Sequence, residues 1–212
     1  MKKLLFITII TLFISGCASK TKTDYWPNGS KKSELKYYNG KMDGLCTWWF
    51  ESGIKQMECN YKNNLLDGKS SRWNFNGSLQ REDYYKNGTL NGTSVAYFEN
   101  GKKNEELTYV NDTLEGAYKE WDVNGKVKVV GAYKKGMYDG KWEYWDINGM
   151  KVGEGDYKAG AGIQKGFYED GQLKREIHYK YNKKNGLELW FSRNGDTIKK
   201  LVYESDHIAF EK

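Results

Sequence analysis

The sequence lacks any apolar run of about 20 residues, which excludes a multi-span membrane protein. Hydrophobic residues make up only 38% of the 212, and the mean hydropathy is −0.86. Leu, Ile, Val and Ala are too sparse for a compact two-layer enzyme domain. Proline occurs once, and no block of one charge sign exists among the 34 basic and 28 acidic residues. That dispersion is a solvated surface, and it argues against nucleic acid as a partner. In contrast, aromatic residues reach 16%, which argues against disorder. Twenty-four glycines punctuate the chain, so the composition is that of an all-β protein with many turns.

Residues 1–16 read as a targeting segment. Met1-Lys2-Lys3 is a short basic region, and the apolar run from Leu4 to Phe13 suits a signal-peptide core. Ile14-Ser15-Gly16-Cys17 then resembles a bacterial lipobox, with cleavage between Gly16 and Cys17. The resemblance implies acylation of Cys17, a membrane anchor through that lipid and a place in the bacterial cell envelope. Ala18, rather than Asp, follows the cysteine, which in such lipoproteins implies the outer membrane. Residues 17–24 are expected to form a polar, lipidated tether, and residues 25–212 the folded array.

Internal repetition organises the remainder. Turn glycines Gly29, Gly53, Gly77, Gly101, Gly125 and Gly149 fall 24 residues apart; Gly171 arrives two residues early and Gly195 restores the spacing. Eight residues after each lies Tyr37, Tyr61, Tyr85, Tyr109, Tyr133, Tyr157, Tyr179 or Tyr203. A second aromatic column comprises Trp49, Trp73, Tyr97, Trp121, Trp145, Phe167 and Phe191, and Glu34, Glu58, Glu82, Glu106, Glu154 and Glu176 form a third. Each unit reads as a β-hairpin, and about seven units plus a C-terminal cap predict an elongated, twisted antiparallel sheet of 14 to 16 strands.

Pro27-Asn28-Gly29 suggests a three-residue loop: a type I turn followed by a left-handed glycine. That loop pairs Phe50 with Ile54, Cys46 with Glu58 and Leu45 with Cys59. The register puts the tryptophan and tyrosine columns on one core face, and the glutamates with Trp48, Arg72, Glu120, Tyr144 and Trp190 on the other. Cys46 and Cys59 then leave opposite faces, so both are expected to be free thiols, Cys46 facing outward and Cys59 in the core.

These columns resemble MORN repeats, in the bacterial variant found in YwqK-family antitoxins. The matching residues are the Asn-Gly turn, Glu58-Cys59-Asn60-Tyr61 and Asp139-Gly140-Lys141-Trp142-Glu143-Tyr144-Trp145. The resemblance covers about residues 25–204 and implies a non-catalytic array that contacts proteins or membrane surfaces. The antitoxin variant further implies a cognate toxin as partner. Nothing in the sequence supports catalysis, a metal site or a cofactor, since His178 and His207 lie far from Cys46 and Cys59. A protein-interaction scaffold in the envelope is therefore the leading expectation. The alternatives are an inhibitor of a toxin, and a cell-wall glycan binder using Trp48, Phe50, Trp142, Tyr144 and Trp190.

Overall fold

The computed structural model describes residues 18–211. They form one 20-stranded antiparallel sheet, each strand pairing with its neighbours in sequence. Three of the twenty are two-residue segments, such as Lys41–Met42, cut from the following strand by a single residue. Counting each with its continuation leaves 17 strands, above the 14 to 16 expected. The surplus comes from both ends. His207–Glu211 adds a last strand, and Ser19–Tyr25 pairs with Lys31–Tyr38 as the first hairpin. Most of the stretch read as a polar tether is therefore strand, paired from Ser19 to Tyr25 with the second strand. Cys17 and the lipobox lie outside the described residues.

Loop chemistry follows the sequence. The Phe50 amide donates to the Ile54 carbonyl and the Gly53 amide to the Phe50 carbonyl, each at 2.9 Å, with Gly53 at φ +83°. This is the three-residue loop with a left-handed glycine. One residue later the register departs from the expected one. Trp49 pairs with Lys55, but Trp48 pairs with Met57, so Gln56 is an extra residue, a β-bulge. The shift sets Cys46 opposite Cys59 and Thr47 opposite Glu58. Equivalent bulges recur beside Tyr25, Trp73, Trp121, Trp145, Phe167 and Phe191.

The bulge corrects the face assignments. Because side chains alternate, Tyr61, Cys59, Cys46 and Trp48 share one face, while Trp49 turns to the other with Glu58. Trp48 meets Tyr61 edge-on at 6.4 Å. The glutamate column is opposite the tyrosines, as expected; the Trp49 column is not on the tyrosine face, and the Trp48 column is. Cys46 is wholly buried rather than outward-facing. Both cysteines are nonetheless free thiols. The Phe50 amide points at the neighbouring strand, so alternation makes Cys46 a hydrogen-bonded partner of Cys59, whose side chains stand apart. Cys46 Sγ turns toward the Lys36 carbonyl at 3.9 Å, and Cys59 Sγ toward Ser70 Oγ at 3.1 Å.

The core is a line along the tyrosine face, with Cys46, Cys59, Leu107, Trp142, Tyr157, Ile177 and Leu201 buried. Most repeat aromatics are half-buried, Tyr157 being the fully covered exception among the tyrosine column. Along one edge, tight connector turns bond to the turn before: Asn64 N to Met42 O, Gly88 N to Leu66 O and Asp112 N to Leu90 O, at 2.8–2.9 Å. A sheet of 17 strands at about 4.8 Å each is a long object. Small-angle scattering of the soluble array should give a radius of gyration well above the ~17 Å of a compact domain of this length. A value near that figure would mean the sheet folds back on itself.

Candidate interaction surface

The two faces differ in chemistry. On the Trp49 face, the bulge brings Lys31 beside Glu34 at 2.7 Å, Lys55 beside Glu58 at 2.6 Å and Lys103 beside Glu106 at 2.5 Å. The same ammonium groups sit 5.4–5.7 Å from the ring centres of the next unit's Trp49, Trp73 and Trp121. Each lysine thus links a carboxylate of its own hairpin to an indole of the next. Thr47 and Ser71, both buried, donate to Glu58 and Glu82 from the adjoining strand. The glutamate column is therefore engaged within the sheet: Glu34, Glu58, Glu106 and Glu154 pair with a lysine of their own strand, and Glu82 with Lys69 across the strands.

On the tyrosine face, the residues proposed from sequence as a binding surface separate into three environments. Trp48 and Phe50 line a groove of about 420 Å³ near Arg72 and Phe75, where Phe50 and Phe75 stack at 4.1 Å. Tyr144 and Trp190 line a second groove, about 700 Å³, across the short 22-residue unit. Trp142 belongs to neither and is only 3% exposed, which removes it as a contact residue. Its indole lies over Gly131, where a Cβ would come within 2.2 Å of the ring. Tyr118, Tyr133 and Tyr138 surround it with ring centres at 4.7–5.3 Å.

The larger groove owes its depth to two glycines. Gly153 and Gly166 stand where the first repeats carry Met57 and Arg72. At one side, Arg175 stacks on Trp190 at 4.4 Å from the ring centre. Its Nε and Nη2 donate to Glu188 Oε1 at 2.9 and 2.7 Å, and Lys184 reaches Glu188 Oε2 at 2.9 Å. Trp190 Nε1 donates to the same carboxylate at 2.8 Å. Glu188 is 1% exposed. Burial works to raise its pKa, but the Lys184 and Arg175 hydrogen bonds and charges outweigh that and hold it below the ordinary value. Burial pushes the phenol of Tyr144 up to about 12, so it is a neutral hydrogen-bonding group at physiological pH.

Sequence reasoning missed Arg175, Lys184 and Glu188. Glu188 occupies the column of Cys46, Ser70, Ser94, Tyr118 and Trp142, and a carboxylate in that core column was the available signal. His178 contacts Glu176 at 3.2 Å and His207 is exposed; among the described residues no group of histidines, cysteines and acids is arranged to hold a metal ion.

Comparison with known proteins agrees with the hairpin geometry. Residues 42–63, 66–87, 90–111 and 162–181 match the MORN repeat variant. No curated protein matches the chain. A solved structure titled "Crystal Structure of TcdB2-TccC3-TEV" aligns over 86% of this chain and 10% of its own, at 11% identity and a TM-score of 0.21, a likeness too slight to inform function. Four units of this continuous hairpin sheet are thus similar to the MORN repeat variant.

Proposed function

We propose that the chain is an envelope lipoprotein whose array serves as a non-catalytic protein-interaction scaffold. The observation that carries this reading is the surface itself. One unbroken sheet offers a regular lysine–glutamate–tryptophan face, an aromatic face, and shallow grooves between hairpins. MORN-like repeats suggest a repeat-based interaction module. Polar side chains on both faces are mostly engaged with one another, which suits recognition by shape and charge.

The first strand begins at Ser19, so an acylated Cys17 would hold the end hairpin against the membrane with Ala18 between them. Cys17→Ser should move the protein from the membrane fraction to a soluble one. If the variant stays with membranes in high salt, the anchor is not the lipid. For the scaffold role, crosslinking of the full-length protein in intact cells should recover one partner protein at defined hairpins. Recovery of the chain alone, at every crosslinker length, would sink the scaffold reading; recovery of a toxin would select the inhibitor role.

A further inference from the structure

Resting on that scaffold reading, we propose that the groove over Gly153 and Gly166 docks a short acidic peptide segment bearing an aromatic side chain.

The space is kept open by choice of residue, not by backbone need. Gly166 has no left-handed φ, and a Cβ there would meet nothing nearer than 3.7 Å. A side chain fits at this position and none is present. Gly153 differs, since its Cβ would come 2.9 Å from the Lys165 carbonyl oxygen. Together they expose a strip of floor between Tyr144 and the Arg175–Trp190 pair.

Charge selects the ligand. The charged side chains of the lining are Lys174, Arg175 and Arg193 against Asp146 and Glu169, while Lys165 gives only its backbone and turns its side chain to the glutamate face. Asp146 Oδ1 already accepts the Asn148 and Met150 amides of its own turn, each at 2.9 Å. Arg193 is paired with Asp170 at 2.5 Å. Lys174 has no carboxylate partner among the described residues, its ammonium lying 5.5 Å from the Tyr168 ring centre. Arg175 and Lys184 share the single carboxylate of Glu188, leaving one surplus positive charge beside the floor. A carboxylate entering here gains partners without displacing any.

The aromatic requirement follows from the walls. Arg175 is fixed by its two bonds to Glu188 and by the indole behind it, so its planar guanidinium is preorganised for stacking. Tyr144 supplies a ring on the other side. A sugar fits less well, because it needs a bare ring platform. The Trp190 ring is covered by Arg175, and its N–H is already committed to Glu188.

The test uses a fluorescein-labelled Glu-Asp-Phe-Asp-Glu peptide and the soluble Cys17→Ser protein, read by polarisation. Saturable binding is expected. It should weaken about tenfold when the peptide's Phe becomes Ala, the scale of one ring contact. Gly166→Trp should weaken it at least as much, with an unchanged circular-dichroism spectrum and melting point. Lys174→Glu should weaken it several-fold, and added salt should narrow that difference. No saturation at millimolar peptide, equal binding by Gly166→Trp, or preference for a neutral cell-wall oligosaccharide would each overturn the proposal. If the peptide fails while cellular crosslinks map to other hairpins, only the groove assignment falls and the scaffold reading stands.

Discussion

Trp142→Ala should destabilise the array by about 3–5 kcal/mol, as loss of a buried aromatic does. The indole is the hub of the largest ring cluster, touching Tyr118, Tyr133, Tyr138 and Tyr157. Its Nε1 donates to the Ala132 carbonyl at 3.2 Å, a bond lost with the ring. Gly131 and Gly155 flank it on the neighbouring strands, so the two residues directly opposite have no side chain to fill the gap. Gly131→Ala approaches the same contact from the other side, driving a methyl into the ring at a cost of about 1–3 kcal/mol. Urea denaturation monitored by tryptophan fluorescence measures both. A loss below about 1.5 kcal/mol for Trp142→Ala, well under the range for such truncations, would show that the cluster is not a stability centre.

Glu188→Gln should cost about 2–3 kcal/mol at neutral pH, because bonds from two cations to a buried carboxylate lose their charge assistance. The effect carries a pH signature. The folded-state pKa of Glu188 lies below its unfolded value, so its contribution is complete above the unfolded value of about 4.3. As pH falls through the folded value the proton returns and the contribution is lost. The gap in melting temperature between the wild type and Glu188→Gln should therefore hold from pH 7 to about 5 and close in more acidic solution. A gap that persists at pH 2 would assign the loss to packing rather than charge.

The repeat period, the hairpin loops and the all-β architecture were legible from glycine and tyrosine spacing. So was the position of the glutamates opposite the tyrosines. What escaped was one residue per hairpin. Gln56 bulges out two positions beyond a correctly placed turn, and that single insertion sends the Trp49 column to the opposite face. A trace of it was present. Lys31 and Glu34, Lys55 and Glu58, and Lys103 and Glu106 are three apart, a spacing that a regular strand would put on opposite faces. Their pairing is possible only with a bulge between them. The groove escaped for a different reason. Gly131 and Gly155 interrupt the column of Leu35, Cys59, Leu107, Ile177 and Leu201, and a glycine there reads as a gap until the ring that fills it is known. Gly166 looks the same in sequence, yet no ring covers it.

The connector turns that bond to one another along one edge have a mechanical consequence. Strands lie across the long direction of the array, so tension between its ends loads their hydrogen bonds one row at a time, as in a zipper. A sheet pulled this way yields serially and softly. The edge ladder adds a second tie at each step, since Asn64 and Met42, or Asp112 and Leu90, must part before the next strand can peel. At the short unit the tie is doubled: Asn182 reaches past Gly160 to the Tyr138 amide at 2.8 Å and the Gly136 carbonyl at 2.9 Å. One residue there ties three successive turns, its amide donating to the Gly160 carbonyl and its side chain bonding the turn at Gly136, so peeling from either end should pause at that point.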